Sequence, residues 1–434
     1  MRATVQPDLK RGPRPAEDPR APWETAPAVS IRDQERPFRG AGKRIVSFDA
    51  ESERKARMAI EQVRWTPGIG WEPHAPGRMA AAAQFVLVFG DETALREGPA
   101  LEDVRRAHPA ARILGCSTAG EICGTSVSGG AVVATAVRFE HARVKGAQVP
   151  IGGMPHEAGL RLAAALPHEG LRHAFVVADG LTTDGTGFAH GLRSGLPAGV
   201  SVTGGLAGDD LRFQRTSVVW DGEPRSDSAA ILGFYGERLA IGTGCRGGWG
   251  AFGPERLITR SGGRVLYEVD GQPVLALYKH YLGEHARGLP ATGLMFPLLL
   301  RIPDGAQGVG RVVLGIDEAE QSVTFAGDMP EGAYARLMMV SQERLLEGAA
   351  DAARAALEGL GALSPELALL VSCAGRKLVL GERVEDEAED VRELLGPRPA
   401  LTGFYSYGEI APLATGCGLE LQNQTMVVTT FAER

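Results

Sequence analysis

The chain contains 434 residues, of which 44% are hydrophobic and 23% are charged, a composition ordinary for a globular protein with a sizeable buried core. Its 46 basic and 53 acidic residues give a net charge of −7, and no dense basic stretch follows the mixed-charge N-terminus. We therefore do not expect a nucleic acid as the partner. No apolar run approaches the ~18 residues that span a bilayer, and the N-terminus lacks the apolar core of a secretory signal, so we expect a cytoplasmic location and no membrane partner.

The N-terminal segment differs from the rest of the chain. Residues 1–42 are rich in proline and in charges of both signs, with no apolar periodicity. Such a segment cannot bury enough apolar surface to offset the entropy lost on ordering. We predict a disordered tail over 1–42, a first domain over 43–250 and a second domain over 251–434. The boundary follows the glycine-rich stretch 242–253, after which the sequence changes character.

The first predicted unit is a strand, a helix, a second strand, a glycine–acid loop and a closing strand. Phe85–Phe89 is a short apolar strand, Ala100–Ala107 is an amphipathic helix, and Arg112 begins the second apolar run. The loop reads GCSTAGEI over 115–122, and the β-type run 131–137 closes the unit. The strand–helix–strand order favours a right-handed βαβ crossover.

A weaker copy of this unit follows. Its predicted strand is Ala174–Ala178, its helix is Gly187–Leu196, and its closing strand is Ser217–Trp220. The loop Thr203–Asp209 again places an acidic residue after a glycine.

The segment between the second and third units has another pattern. We predict a long helix over 341–360 with Ser341 as its N-cap. Gly242–Gly247 fits G-x-G-x-x-G, but the glycine-rich stretch after it cannot start a helix promptly, so we interpret it as an interdomain turn and not as a dinucleotide site. Short strands separated by glycine-rich turns are predicted at 255–269, 293–302, 310–316 and 321–326.

The order of the first unit returns near the C-terminus. Leu367–Cys373 is the predicted strand, Glu385–Leu395 the helix, GFYSYGEI over 403–410 the loop and Thr425–Phe431 the closing strand. The first and last loops both fit G-x-x-[ST]-x-G-E-I. We therefore predict a mixed α/β (α+β) fold in which β-α-β-β units, copied from one module, form mixed sheets with helices on their outer faces, in two domains.

Several motifs follow one another over residues 80–434, and together they resemble the FIST family of sensory proteins, which carry a FIST N-terminal and a FIST C-terminal domain. The resemblance implies a role in signal transduction with a small molecule as ligand, amino acids being the class proposed. One branch of the family binds haem, responds to nitric oxide and acts on a partner histidine kinase. Family members commonly carry His before Asn-Gln-Thr, where this chain has Gln422, so a haem, metal or proton-transfer role at that position is in doubt. The motifs are GCSTAGEI at 115–122, GGLAGDD at 204–210, VLYEVDGQPVLALYKHYLGE at 265–284, SCAGRKLVLG at 372–381, GFYSYGEI at 403–410 and NQTM at 423–426.

The acids of the three loops are candidate ligand-binding residues. If the repeated units bring Glu121, Asp209 and Glu409 around one cleft, a carboxylate could pair with a ligand ammonium. The alternative is that each carboxylate accepts hydrogen bonds from backbone N–H groups of its own turn.

Two further candidates directly follow the strand that ends at Cys373. Loops beyond the carboxyl ends of strands form the ligand crevice in open α/β sheets. There Arg376 could bind a carboxylate or phosphate through its planar guanidinium, or it could pair with a nearby acid such as Glu382. Cys373 lines the same crevice in this prediction, although such a residue is more often a small buried hydrophobe.

Tyr405, Tyr407 and Asn423 complete the predicted site. The two tyrosines alternate along an extended stretch, so both face one side, either as pocket walls with hydroxyl groups or as core residues. Asn423 precedes the last strand, and the resemblance favours a ligand contact over a backbone one.

The residues do not favour catalysis or a particular cofactor. Cys116 of the first loop is replaced by Phe404 in the last, and no histidine recurs beside either copy, which argues against a nucleophile. Haem would need an axial His or Cys; His280 and His285 point apart on a helix, although either could act alone. We predict a non-catalytic small-molecule sensor with no assigned cofactor. The alternatives are a haem-based nitric-oxide sensor that regulates a histidine kinase and an enzyme that uses a carboxylate as acid or base.

Overall fold

A computed structural model describes residues 58–80, 82–301, 308–412 and 418–434; the predicted tail lies outside them. Short 3-10 helices occupy Gly283–Gly288, Ala291–Met295 and Gly381–Arg383. The helices of the described residues are α1 (Glu92–Glu97), α2 (Ala100–Ala107), α3 (Pro155–Ala165), α4 (Gly185–Gly195), α5 (Val274–Leu282), α6 (Gln342–Leu360), α7 (Ala374–Leu380) and α8 (Val384–Leu395).

The strands fall into three stretches of the chain. The first stretch contains β1 (Met58–Thr66), β2 (Gly70–Glu72), β3 (Phe85–Gly90), β4 (Arg112–Ser117), β5 (Glu121–Cys123), β6 (Ser126–Ser128) and β7 (Val132–Phe139). The second contains β8 (Arg143–Pro150), β9 (Leu171–Ala178), β10 (Ser201–Leu206), β11 (Val218–Trp220), β12 (Ser228–Tyr235), β13 (Leu239–Arg246), β14 (Trp249–Gly262), β15 (Val265–Val269) and β16 (Gln272–Pro273). The third contains β17 (Leu298–Arg301), β18 (Val309–Arg311), β19 (Val313–Asp317), β20 (Ser322–Phe325), β21 (Tyr334–Val340), β22 (Leu367–Cys373), β23 (Ala400–Ser406), β24 (Glu409–Pro412), β25 (Leu419–Gln422) and β26 (Met426–Glu433).

The three predicted units are present, and each builds one mixed sheet. In every unit the strands joined by the helical crossover are parallel neighbours: β3 with β4, β9 with β10, and β22 with β23. A closing strand pairs antiparallel with the first strand of its unit: β7, β12 and β26 respectively. We name these sheets I (β11-β4-β3-β7-β1-β2), II (β25-β24-β10-β9-β12-β8) and III (β13-β26-β22-β23-β5-β6). The predicted fold class, mixed α+β with repeated units, is confirmed.

The units exchange strands in a cycle. The chain leaves each crossover strand through a glycine–acid turn and then adds a strand to the sheet of another unit. Strand β5 of the first unit joins β23 in sheet III, β11 of the second joins β4 in sheet I, and β24 of the third joins β10 in sheet II. Sheets II and III therefore combine strands from both sides of residue 250. The domain boundary at that residue remains a prediction.

Two details of the predicted units are wrong. Ser217–Trp220 does not close the second unit, because Val218–Trp220 pairs with sheet I and Ser228–Tyr235 occupies the closing position. The loops 115–122 and 403–410 are much shorter than predicted, since strands β4 and β23 continue to Ser117 and Ser406.

Glycines near the start of these motifs explain the error. A Cβ at Gly115, Gly204 or Gly403 would lie 1.8 Å from a carbonyl oxygen of the adjacent parallel strand. The glycine is thus required by close approach of two strands and not by a turn.

Two other predictions are also wrong for reasons of backbone chemistry. Gly242 and Gly244 lie inside β13, where a Cβ would clash with carbonyl oxygens of α6, so they serve strand–helix packing and not an interdomain turn. The predicted strand 293–302 begins only at Leu298. The first residues of the prediction belong to the 3-10 helix Ala291–Met295, in which Gly293 N donates to Pro290 O over 2.9 Å, and Pro297, directly before Leu298, lacks the N–H donor that a sheet needs. The predicted helix 341–360 is confirmed as α6, capped by Ser341 Oγ.

The inner faces of sheets I to III share one apolar core. Phe89, Phe175 and Phe404 come from the three different sheets; the ring centroid of Phe89 lies 6.4 Å from that of Phe175 and 4.7 Å from that of Phe404. Burial of each ring contributes roughly 1.5–3 kcal/mol. The outer faces are covered by helices, α1 and α2 on sheet I, α3 and α4 on sheet II, and α6 and α8 on sheet III.

Residues between β13 and α6 form a separate layer. Strands β14, β15 and β17–β21 build sheet IV, with β16 paired to β15, and helix α5 packs on it through a second apolar core. The chain enters this module at β14 and leaves it after β21, and Arg311 of β18 also donates to Leu421 O of β25 in sheet II. No helix in the described part of the chain combines the length and apolarity needed to cross a bilayer.

Candidate functional site

The three acidic turns contact one another through their backbones. Ala119 N donates to Tyr405 O over 2.8 Å, joining the first turn to the third. Leu206 N donates to Gly408 O over 2.8 Å, and Gly208 N donates to Ser117 O over 2.9 Å, which joins the second turn to both others. The strand exchange therefore gathers the turns in one region, as the repeat suggested.

The glutamates of the first and third turns are buried and bonded locally. Thr118 Oγ1 donates to Glu121 Oε1 over 2.6 Å, and Ser406 Oγ donates to Glu409 Oε1 over 2.6 Å, so the same three-residue spacing is used twice. The other Glu409 oxygen accepts from N and Oγ1 of Thr425. Burial raises the pKa of Glu121 to about 8 and that of Glu409 to about 7, against these hydrogen bonds, which lower it.

Asp209 has the same local function in the second turn. Its carboxylate accepts hydrogen bonds from the backbone N–H groups of Phe213, Gln214 and Arg215 over 2.7–2.9 Å. The hydroxyl of Tyr407 also donates to it. Desolvation and this carboxylate raise the pKa of the Tyr407 phenol above its usual range. Asp209 thus has the contacts with backbone N–H groups of its own turn that the sequence offered as the alternative. Glu121 and Glu409 instead accept from a hydroxyl of their own turn and from the more distant backbone N–H groups of Ala131 and Thr425.

Arg376 is fully buried and pairs with Glu387, and not with Glu382. Its Nε donates to Glu387 Oε1 over 2.6 Å, and its terminal nitrogens donate to the carbonyls of Gly247 and Leu345. Tyr405 donates from its hydroxyl to the other Glu387 oxygen over 2.9 Å. Because Cys373 is followed at once by helix α7 and not by a loop, Arg376 is directed into the protein, where it ties α6, α8 and sheet III together.

A cavity of about 410 Å³ lies where units two and three meet sheet IV, and we name it the motif cavity. Its volume is within the ~300–1,000 Å³ of typical ligand pockets. Among the predicted residues Cys373, Tyr407 and Asn423 line it, whereas Glu121, Asp209, Arg376, Tyr405 and Glu409 do not. Its lining comes from Gly180, Leu181, Thr183, Asp184, Gly185, Leu206, Leu211, Phe213, Arg264, Pro290, Ala291, Leu294, Val312, Val313, Leu314, Ala326, Cys373, Ala374, Gly375, Leu378, Ser406, Tyr407 and Asn423.

The motif cavity contains buried polar atoms without partners. Asn423 is 1% exposed and Thr183 is 7% exposed; Asn423 Oδ1 and Thr183 Oγ1 have no hydrogen-bond partner in the part of the chain that the structure describes. The flanking Gln422 Nε2 and Gln424 Oε1 are unpaired in the same sense. A buried polar atom without a partner costs roughly 1–3 kcal/mol, so such a group calls for a partner that is absent from the protein alone.

The mouth of the motif cavity is apolar. Half of the eight large hydrophobic side chains that the described residues expose line it: Leu181, Phe213, Leu314 and Leu378. The ring of Phe213 stacks on Tyr407 with centroids 4.8 Å apart. Scattered exposed hydrophobics need no explanation, but a cluster at one opening makes this cavity a candidate binding site.

Arg264 supplies a cation at this cavity. It is exposed, and its guanidinium forms no hydrogen bond or ion pair with a described residue, although its charge acts on Asp328 and lowers the pKa of that carboxyl against the effect of burial. Sequence patterns gave no signal for Arg264 or Phe213, because each comes from an element whose place at the cavity depends on long-range packing, whereas Leu378 lies in the motif 372–381 but was not selected as a site residue.

The lining offers little for a metal or haem. The described residues contain no group of three His, Cys, Asp or Glu side chains that could hold a metal ion. Cys373 and Tyr407 are the cavity residues of types that ligate haem iron, and burial raises the pKa of both side chains above the usual range, which disfavours the thiolate and the phenolate. His280 and His285, on α5 and the 3-10 helix after it, do not line the motif cavity.

Comparisons with known proteins identify related chains. The model of the FIST N domain matches residues 84–272, and that of the FIST C domain matches residues 275–412. An uncharacterized protein of Methanocaldococcus jannaschii is 24% identical over 204 residues, which cover 44% of this chain and 39% of that protein, so the match spans less than half of either.

Two solved structures share a distant overall likeness. A cyanuric acid hydrolase from A. caulinodans has a TM-score of 0.36 at 9% identity, covering 87% of this chain and 99% of that one. A chorismatase has a TM-score of 0.32 at 10% identity, covering 86% and 98%. Neither likeness is close enough to transfer an activity.

Proposed function

The chain belongs to the FIST family, whose domains are sensory, small-ligand-binding signalling domains, and from this premise we propose that it is a non-catalytic sensor whose ligand binds in the motif cavity. Occupancy would be passed to a partner signalling protein, of which a histidine kinase is one class. The observation that carries the proposal is the pair of unpartnered buried atoms, Asn423 Oδ1 and Thr183 Oγ1, in a cavity whose lining is mostly apolar.

The lining selects an amphipathic ligand. Leu206, Leu294 and Val313 favour an apolar body, Asn423 Oδ1 requires a donor, and the unpaired Arg264 favours a carboxylate. An amino acid with an apolar side chain meets all three conditions: its ammonium group donates to Asn423 and Thr183, and its carboxylate pairs with Arg264. Amino acids are therefore the ligand class we propose.

Three of the predicted residues have a structural role in this proposal. Glu121, Asp209 and Glu409 hold the turns that position Ser406 and Tyr407 in the cavity wall. The carboxylates lie behind that wall with their oxygens already bonded. A carboxylate that acts on a ligand would have to reach its reacting atom, so we assign no catalytic step to them. Haem is not favoured, because Cys373 and Tyr407 have their side-chain pKa raised and no histidine lines the cavity.

The position of the cavity offers a route for transmission. One wall belongs to units two and three, and the other, including Leu294 and Val313, belongs to the module of sheet IV. The two walls are already linked by Gln424 Nε2, which donates to Leu294 O. A ligand that contacts both walls more favourably in one arrangement than in another shifts the population between them.

A thermal-shift screen of the twenty amino acids tests this function. A ligand that binds only the folded chain stabilises it by about 2.7 kcal/mol at a hundred times its Kd. We expect at least one apolar amino acid to raise the Tm, and Arg264→Ala to remove most of that rise. Arg260→Ala is the matched control, because Arg260 lies on β14, which leads into the turn that carries Arg264, but pairs with Glu268 and stacks on Tyr267. A rise equal in wild type and Arg264→Ala would contradict the proposed ligand orientation.

A further inference from the structure

The three core sheets meet along three equivalent seams, whose positions can be matched through strand register. At each seam a closing strand of one sheet faces the crossover strand of the next. Thr135 Oγ1 donates to Thr402 Oγ1 over 2.9 Å at the first seam, and Thr203 and Thr429 are bonded over 2.7 Å at the third. The second seam has Leu232 and Leu114 at the same positions.

Large side chains fill the first two seams. At the first, Gln62 is the register partner of Thr135, and its Nε2 donates to Thr135 Oγ1 over 3.2 Å and to Leu401 O over 2.8 Å. At the second, Trp220 fills the seam, because a Cβ added to Gly146 would lie 2.3 Å from its indole ring.

The third seam has only small side chains at these positions. Thr243 is the register partner of Thr429 and so occupies the position that Gln62 has at the first seam. Ala411, which follows the paired residue Ile410, occupies the position that Trp220 has at the second seam. A cavity of about 760 Å³ opens there, between β13, α6 and the starts of β9 and β10, and Thr203, Thr243 and Ala411 all line it. We name it the seam cavity.

The charged groups of the seam cavity favour an anion. Arg172 and Arg246 line it, and neither guanidinium forms an ion pair within the described ranges; Glu358 is the one acid in the lining. The hydroxyl of Thr243 adds a hydrogen-bond donor at the wall, whereas the hydroxyls of Ser201 and Thr203 are already bonded to His173. Two cations against one acid, together with the Thr243 hydroxyl, match a carboxylate or phosphate group.

We propose that the seam cavity is a second ligand site, which binds a small organic anion carrying a carboxylate or phosphate group. It is independent of the motif cavity, since no lining residue is shared between the two. The site exists because the third seam lacks the large side chains that close its two counterparts.

Titration calorimetry of the full chain with citrate, succinate, acetate and inorganic phosphate at millimolar concentrations tests the proposal. We expect at least one anion to bind, the carboxylate and phosphate arms identifying the group that is recognised. Thr243→Gln, which restores the filler of the first seam, should abolish that binding. Both arginine side chains are exposed, so we expect the double variant Arg172→Ala/Arg246→Ala to fold. It should weaken anion binding at least tenfold.

The matched control is Arg138→Ala, an exposed arginine on β7 outside the seam cavity, which should bind as wild type does. Absence of binding by all four anions would overturn the proposal. Binding that the double arginine variant leaves unchanged would overturn it as well, whether or not Thr243→Gln folds. Neither result would bear on the amino-acid site, whose residues are different.

Discussion

Ser406 Oγ lies 2.6 Å from Glu409 Oε1, and this bond joins a residue of the motif cavity wall to a carboxylate buried behind it. Glu409 is held on its other side by Thr425, two residues after the cavity residue Asn423. Glu409, the acid of the repeated motif, therefore links two segments of the cavity wall. A change in its ionisation should change the free energy of unfolding.

The first prediction concerns pH. Burial raises the pKa of Glu409 to about 7 in the folded chain, from an ordinary value of 4.5. The folded state therefore holds this proton more tightly, so the stability it contributes is complete below pH ~4.5 and is lost as pH rises through about 7. Glu409→Gln should remove up to about 3 kcal/mol of that pH dependence. Urea unfolding of both proteins between pH 4.5 and 8 measures it; parallel profiles would contradict the assignment.

The second prediction concerns the buried pair of Arg376 and Glu387. Arg376→Met leaves the Glu387 carboxylate buried without a cation and should lower the free energy of unfolding by about 3–5 kcal/mol. The double variant Arg376→Met/Glu387→Leu should recover part of this loss, because no charge remains unpaired. Chemical denaturation of the full cycle tests it. Should Arg376→Met unfold like wild type while losing ligand binding, Arg376 would instead be a ligand residue.

The third prediction concerns the first glycine of the GFYSYGEI motif. In Gly403→Ala the new Cβ would lie 1.8 Å from Leu370 O, a backbone atom that cannot turn aside. We expect a loss of about 1–3 kcal/mol or more from overpacking. Gly129→Ala is the control, since nothing lies within 4 Å of its Cβ. Thermal unfolding compares the two, and equal Tm values would show that strand approach does not require Gly403.

The fourth prediction concerns the apolar mouth. Leu378 is 49% exposed at the motif cavity, so Leu378→Ser should leave the Tm nearly unchanged but weaken ligand binding by roughly 1 kcal/mol, about fivefold. Ile69→Ser removes an equally apolar side chain that is 69% exposed elsewhere, and should bind ligand normally. Kd values from calorimetry distinguish the variants, and identical affinities would place the ligand away from the mouth.

The repeat and its crossovers could be predicted from the sequence because they rest on short-range patterns. Apolar runs and amphipathic spacing place β3, α2, β22 and α8 correctly. The strand exchange could not be predicted, since β24 joins β10 about two hundred residues away and no local pattern encodes that choice.

The site was predicted in part for the same reason. Cys373, Tyr407 and Asn423 line the motif cavity as members of recognisable motifs. Arg376 was expected at a crevice, but the turn of α7 and the placement of α8 bring Glu387 to it, which depends on how two helices pack. Arg264 belongs to another layer altogether, and only packing of that layer brings it to the cavity.

The most direct measurement is calorimetric titration of the strongest amino-acid ligand into wild type and Asn423→Ala, with Gln148→Ala as a control amide that already has a partner. Our account predicts saturable binding to wild type and to Gln148→Ala, and at least a tenfold weaker Kd for Asn423→Ala. Wild-type affinity in Asn423→Ala would contradict the assignment of the motif cavity as the sensory site.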